Sequence, residues 1–335
     1  MLTFTLRRLL LAIPTLLFIS LIIFLLVDLA PGSPMSEIPL TVPPEVRKKM
    51  IEALGADQPV LFRYVLWLRQ FFIVEPSYWL DSTFGTALAG DQQRILSWQS
   101  RSPVFSVIGE RMPQTLTVIG TAYLVGVLIA VPIGIYSAYR QYSLFDQLGT
   151  LLAMIGFSVP TFFTGTLFII IFAVWLGWFP TKYDTQLEVT DWASFKIQLR
   201  QMALPVMTLG LANAAAISRY MRSSMLDNMT QDYVRTARAK GMTERTVVLK
   251  HVLRNSMIPV VTVIALGIPS IFGGAIITEN LFGVNGIGAA LIGAIHANDI
   301  PMVQTLAFIF AVLIVIFNLI ADVLYGLLDP RIRYE

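Results

Sequence analysis

The sequence predicts an all-α polytopic membrane protein with six transmembrane helices and an extracytoplasmic helical insertion after the first span. Three observations carry that expectation. Of 335 residues, 56% are hydrophobic and only 13% are charged, about half the charged share usual in soluble domains. Several charge-free apolar runs reach the ~20 residues that a helix needs to cross a bilayer. The Lys and Arg residues gather in short segments between those runs. The net charge of +3 is too small to argue for a nucleic-acid partner. With no Cys, disulfides and thiolate metal sites are excluded, and His251 and His296 alone give no basis for a His-built metal cluster.

Residues 1–30 form the first span. A basic head ends at Arg8, and Leu9 to Val27 follows without a charge. That run exceeds the ~7–15 apolar residues of a signal peptide, so it is read as a retained span despite the cleavage-like Ala30 and Gly32. Asp28 sits at its outer end. Residues 31–111 form the extracytoplasmic segment. Pro43 and Pro44 open a helix that runs through Leu54 and ends at Gly55. Val60 to Phe72 is a second, amphipathic helix with Leu61, Val65, Leu68 and Phe72 on one face. Trp67, Trp79 and Trp98 suit either a membrane interface or the core of a small domain.

Residues 112–328 form the membrane core. The second span begins at Arg111 and Pro113 and ends at Arg140. The third runs from Asp146 to Trp178, with Gly156 and Pro160 as points where a helix can bend. A polar loop covers Thr181 to Gln201. The fourth span, ALPVMTLGLANAAAISRYM, is rich in small residues that allow close helix contact. The fifth runs from Ile258 to Ile277 and contains Gly267, Pro269, Gly273 and Gly274. The last runs from Val303 to Leu327, before the tail 329–335. Counting basic residues in short loops places Arg7, Arg8, Arg140, the segment 222–256, Arg331 and Arg333 on one side, the cytoplasm, with both termini. The loop from Val284 to Pro301, without Lys or Arg, falls outside. Lys182, Lys196 and Arg200 are a mild dissent.

Within 222–256, the stretch Asp232 to Pro259 reads as helix, turn, helix, and it carries Arg235, Arg238, Lys240, Arg245, Lys250 and Arg254. Asp232 is placed to cap the first helix. Gly241 suits the left-handed residue that ends it, with Arg238 and Lys240 in the last turn where the helix dipole favours cations. Ala237 and Ala239 keep its profile thin. Thr243 is placed to cap the second helix, which Pro259 interrupts. His251 lies on that second helix beside Arg254 and Asn255, where polar contacts are within reach. A short basic hairpin between two spans is a docking element for a soluble partner; contact with anionic lipid is its plainer alternative.

No Gly-x-x-x-x-Gly-Lys-Ser/Thr loop is present to cradle ATP, and no His-Glu-x-x-His to hold zinc. Neither His lies in a nucleophile motif, so no catalytic site is expected.

The hairpin resembles the cytoplasmic loop of permease subunits of binding-protein-dependent ABC importers. That loop carries Glu-Ala-Ala and, three residues later, Gly. Here the triplet positions hold Arg235, Thr236 and Ala237, without the Glu, and the Gly is Gly241. The run RTARAKG followed by HVLRNSMIP is similar to the dipeptide and oligopeptide branch of that family. The resemblance extends from LRRLLLAIPTLLFISLIIFLLVDLAPGSP to NLIADVLYGLLDPRIR. It implies a type I importer permease fold in a bacterial cytoplasmic (inner) membrane. It also implies a homologous second permease, two ATPase subunits that hold ATP and Mg, and an extracytoplasmic solute-binding protein. Residues Asp232, Tyr233, Arg235, Thr236, Ala237, Arg238, Ala239, Lys240 and Gly241 would couple to the ATPases. The chain itself would hold no cofactor. The pathway would lie between the two permeases, at an interface of spans with Gly, Ala and Ser on one face.

Candidate pathway or gate residues are Pro160, Glu279, Asn285 and Asp322. Ionisable groups inside spans are costly and are functional candidates by default. Glu279, at the outer end of the fifth span, is placed to face the solute or the binding protein. Asn285-Gly286 stands where the family usually has Pro-Gly. Asp322 lies near the inner rim, where a hydrogen bond to an Arg or to Tyr325 is the alternative to a pathway role. The rival class is an ion-gradient-driven secondary transporter, which would show paired charges near the midplane and inverted repeats. The span centres here carry almost no charge. Within the ABC class, glutathione or a nickel complex is the alternative solute.

Overall fold

The computed structural model describes residues 2–29, 58–90, 92–272 and 275–328. The expected helix from Pro43 to Leu54, the pair Gly273 and Gly274, and the tail lie outside the described residues. The described chain is helical, and residues cluster into two compact units, one of Met1–Leu10, Met112–Ala289 and Leu313–Glu335, the other of Leu11–Arg111 and Ala290–Val312.

In the second unit, helix α1 (Leu2–Asp28) is joined by a rod made of α2 (Val60–Arg69), a π-helical turn (Gln70–Val74) and α3 (Glu75–Phe84). Arg63 pairs with Asp28 at 2.6 Å, and the hydroxyls of Ser20 and Tyr64 lie 2.7 Å apart. Phe24 and Phe308 pack on Trp67. The rod is apolar on more than one side. Its buried side holds Trp67 and Val74, while of the face picked out by spacing Leu61, Val65 and Phe72 are exposed and Leu68 is half-buried. The two Trp alternatives divide likewise, with Trp67 buried and Trp79 exposed. Asp299 is buried and accepts hydrogen bonds from Ser97 Oγ, from the backbone N–H of Trp98 and Gln99, and from that of Met302. It ties the polar segment before Val104 to the start of the last helix.

Helix α4 (Val104–Thr115), a π-turn (Leu116–Gly120) and α5 (Thr121–Tyr139) make one apolar rod, which belongs to the first unit from Met112 onward. Next come α6 (Leu144–Ser158), α7 (Thr161–Phe168) with a π-helical end (Ile169–Trp175), and α8 (Trp192–Met229). Two helices pack most closely, α5 and α8. Gly126 and Gly134 make that approach possible: a Cβ on Gly134 would stand 2.6 Å from Met221 Cβ and 2.7 Å from the Ser218 carbonyl. Ala122, Ala130, Ala214, Ala215 and Ser218 are buried in the same region. The small-residue face expected to meet a second permease is therefore used inside the chain, because small side chains let two spans close on each other first.

Helix α8 starts earlier than its apolar run. Asp191 and Ser194 form a capping box, so the supposed loop through Gln201 is helical from Trp192 onward. Arg200, a dissenter in the charge count, donates to the carbonyls of Trp178 and Gly177 at 2.8 and 3.3 Å.

Among the described residues, five helices are long and apolar enough to cross a membrane, and up to seven spans result if two bent pairs each count as one. The first pair is α6 with α7, bent by 106°. Val159 is extended, as a residue before proline tends to be, and Pro160 caps α7 with φ −57° and ψ 137°. The second pair, α13 (Ile276–Phe282) and α14 (Ile287–His296), is bent by 93°. It folds much of what reads in sequence as an outer loop. The last helix is α15 (Ile300–Leu328).

Candidate functional site

Helix α9 (Asp232–Ala239) is the first arm of the basic hairpin. Its N-cap is Gln231, without a side-chain cap bond; Asp232 is one residue further in and pairs with Arg235 at 3.3 Å. The expected Asp232 cap is thus absent, since its carboxylate is past the capping position. It still places negative charge at the helix amino end. Tyr233 donates from its hydroxyl to Asn228 Oδ1 at 2.6 Å.

At the other end, the Gly241 N–H bonds to the Arg238 carbonyl at 3.0 Å, and the Met242 N–H to the Ala237 carbonyl at 3.4 Å. Gly241 has φ +74°. This is the Schellman pattern, in which the residue after the C-cap turns left-handed. Across the turn, Arg238 grips Glu244 through two nitrogens, at 2.7 and 3.1 Å. That hydrogen bond holds the Arg238 guanidinium pKa above its ordinary value. Both partners are about two-fifths exposed, so the pair is worth only ~0.2–1 kcal/mol. Its use is to fix the angle between the arms.

The second arm is α10 (Glu244–Thr246), a π-turn (Val247–Val252), α11 (Leu253–Gly267) and α12 (Pro269–Phe272). Thr243 occupies the N-cap position, but its hydroxyl meets the Thr246 hydroxyl at 2.9 Å and makes no cap bond to the backbone. Pro259 does not interrupt the helix. Glu244 to Phe272 is one apolar rod of 29 residues, about 43 Å long. Apolar spans tolerate a missing N–H where neighbours hold the chain; here Ser224 Oγ donates to the Ser256 carbonyl at 2.9 Å and Ser256 Oγ to that of Ser224 at 3.2 Å. The second arm of the hairpin is the start of the span itself.

Only Val234 and Ala237 of α9 are buried. They belong to one apolar core with Met221 and Met225 of α8, Val247, Val248 and Val252 of the second arm, and Ala130 and Ala138 of α5. Tyr233, Arg235, Thr236, Arg238, Ala239 and Lys240 face outward. The hairpin therefore presents a basic surface while its underside is continuous with the packing of three spans. Arg222 adds a clamp, reaching Asp146 at 2.6 and 2.8 Å and joining α8 to the start of α6. Asp146 is 3% exposed. No sequence pattern joined these two residues, which lie 76 positions apart.

Glu279 is fully buried, accepting from Thr115 Oγ1 at 2.9 Å and from the Ala289 N–H at 2.8 Å. Thr115 Oγ1 in turn accepts from the Ile287 N–H at 2.8 Å. Two of the orphan N–H groups at the amino end of α14 are met by these side chains, and the carboxylate complements the dipole there. Asn285 is exposed, and its N–H bonds to Gln114 Oε1 at 3.1 Å. Pro160 opens α7, whose Gly165 abuts Leu281 and Phe282 of α13. Glu279 and Asn285 thus belong to one turn, with the helix that Pro160 starts against it. Asp322 is not part of that turn and pairs with Arg8 at 2.8 Å, which is the structural alternative read from sequence; the Tyr325 side chain lies outside the described residues. His251 also departs from expectation, because its Nε2 is buried without a hydrogen-bond partner among the described residues.

Comparison with known proteins matches this sequence along its length. Residues 130–334 match the family described as "Binding-protein-dependent transport system inner membrane component", and residues 1–119 match the N-terminal family of the same membrane component. The oligopeptide transport system permease protein AppB of Bacillus subtilis is 35% identical over 342 residues, covering 100% of both chains. The glutathione transport system permease protein GsiC of Salmonella paratyphi A is 37% identical over 339 residues, again covering 100% of both. A crystal structure of an amino acid ABC transporter with histidines shares the fold, with a TM-score of 0.51 at 12% identity over 66% of this chain and 94% of that one. With family models over residues 1–119 and 130–334 and full-length relatives at 35–37% identity, this protein belongs to the inner-membrane permease family of binding-protein-dependent ABC transport systems.

Proposed function

We propose that the chain pairs with a second, homologous permease to form the pathway by which an ABC importer takes up peptides or peptide-like solutes. Two separate ATPase subunits bind ATP and Mg beneath the pair, and α9 with Gly241 seats in them as the coupling element. An extracytoplasmic binding protein delivers the solute. The protein lies in a bacterial cytoplasmic membrane with both termini inside, and it has no catalytic site of its own. The turn holding Glu279 and Asn285, with Pro160 at the start of α7, is the outer gate, and Glu279 serves it from within as a buried brace. Oligopeptide and glutathione systems are both among its full-length relatives, so the solute carries peptide-like amide and carboxylate groups.

The observation that carries this function is the single core beneath the exposed basic face of α9. The test is reconstitution with the second permease, the ATPases and the binding protein in vesicles. Peptide-dependent ATP hydrolysis and uptake are expected from the complex and neither from the chain alone. Hydrolysis by the chain alone, or uptake driven by an ion gradient without ATPase subunits, would overturn it.

A further inference from the structure

The end of α5 that bears Arg140 and the first turns of the rod from Glu244 enclose an open cleft of about 540 Å³. Ile135, Tyr136 and Tyr139 line it from α5; Val248 and Leu249 line it from the rod, and Arg245 is the one charged residue among its walls. Tyr136 and Leu249 are each 48% exposed and Tyr139 is 40% exposed, so the cleft opens outward. Arg245 is exposed and has no carboxylate partner among the described residues, whereas Arg235 and Arg238 are paired with Asp232 and Glu244. A second cation is next to it in chemistry: the Arg140 guanidinium stands 5.7 Å from the Tyr139 ring.

An apolar slot with an unpaired cation and two tyrosines at its mouth has a specific complement. Tyrosine rings favour the headgroup level of a bilayer, and an arginine keeps its head in water while its stem lies along apolar surface. The anionic cytoplasmic leaflet draws such cations. A polar solute would leave the slot's carbon surface unmatched, and a partner's apolar helix would leave Arg245 unmatched. We propose that this cleft holds an acyl chain of an anionic phospholipid, with Arg245 and Arg140 on its phosphate. The placement on the cytoplasmic side rests on the orientation proposed above. Val248 belongs at once to the cleft and to the core under α9. A chain seated there packs against the hinge between hairpin and span, so coupling becomes sensitive to lipid.

The experiment uses the complete transporter in nanodiscs containing phosphatidylglycerol or phosphatidylcholine with a photoactivatable acyl chain. Crosslinked peptides are mapped by mass spectrometry. Phosphatidylglycerol should label residues 132–139 and 245–249 at least about fivefold more than phosphatidylcholine, the advantage that even one cation gives a lipid of net negative charge. Arg245→Gln, a surface change, should lower that ratio, and the double variant Arg140→Gln/Arg245→Gln should bring it close to one. Ile135→Trp, which fills the slot, should lower labelling by both lipids. Equal labelling by the two lipids in the unaltered protein, or a phosphatidylglycerol preference untouched by Arg245→Gln, would overturn the proposal. So would crosslinks from a photoreactive residue at Leu249 to the second permease instead of lipid. Peptide-stimulated ATP hydrolysis is read in the same discs. Its absence alongside the expected labelling would fail the transport function and leave the lipid site standing.

Discussion

The Thr115 hydroxyl donates to the Glu279 carboxylate at 2.9 Å, with neither residue exposed to solvent. Together they hold the amino end of α14 at the bend after α13. Glu279→Gln keeps the shape but sets an amide NH2 against either the Thr115 hydroxyl or the Ala289 N–H. A buried group left unsatisfied costs about 1–3 kcal/mol. Thermal stability of the purified permease should fall, and uptake should fall further, because the turn is displaced. Gly286→Ala should act in the same direction, since its Cβ would fall on both Glu279 and Thr115. Wild-type stability in Glu279→Gln would show that the carboxylate is dispensable to the turn.

The clamp between Asp146 and Arg222 offers a second measurement. Asp146→Asn should destabilise by about 1.5–3 kcal/mol, the range for hydrogen bonds to charged groups. Arg222→Met should cost at least as much, since it strands a buried carboxylate. The double variant should cost less than the sum of the singles. Additive costs in denaturant titration would mean that the pair does not act as a unit.

Gly241 has φ +74°, and a Cβ built there meets nothing within 4 Å. The cost of any side chain is therefore backbone strain, roughly 1–2 kcal/mol, too little to unfold the protein. Gly241→Asp adds a negative charge at the helix carboxyl end. Its abundance in the membrane should be near normal while uptake and peptide-stimulated ATP hydrolysis drop several-fold; Gly241→Ala should be milder and Gly241→Asn milder still. Full coupled activity in Gly241→Asp would remove α9 as the coupling element.

Acid should loosen the loop after α3. The Thr86 hydroxyl, with the N–H groups of Ala89 and Leu88, holds the Asp81 carboxyl below its ordinary value of 3.8. A lowered folded pKa stabilises above the unfolded value and ceases to do so as pH falls through the folded one. Amide protection at Leu88 and Ala89 should hold at pH 5 and above and erode below 3.8. Asp81→Ala should remove that protection already at neutral pH. Unchanged protection in Asp81→Ala, read by hydrogen exchange, would separate the carboxylate from the loop's order.

The hairpin was legible because its signals are local. Gly241 is left-handed for a reason visible one turn away, and basic residues between apolar runs mark it as a polar element facing water. The position of Thr243 and the bend at Pro160 follow from the same short-range rules, as does the family itself. Short-range rules also misled. Asp232 lies one residue past the cap position, and the helix runs on through Pro259. The apolar spacing of Leu61, Val65 and Phe72 marks a face without saying that it lies outside the core.

The sequence by itself determined the class of the protein: how many apolar runs it has, where its charges sit between them, and that no ATP-cradling loop is among them. Those properties are set by composition and by neighbours within a few residues, which water and bilayer read directly. Tertiary structure alone decided what the buried charges do. Glu279 meets Thr115 across 164 positions, and Asp146 meets Arg222 across 76. A carboxylate in an apolar chain must find a donor, but which donor depends on how spans cross. Here the crossing is fixed by the close approach of Gly126 and Gly134 to α8, a contact that neither helix encodes without the other.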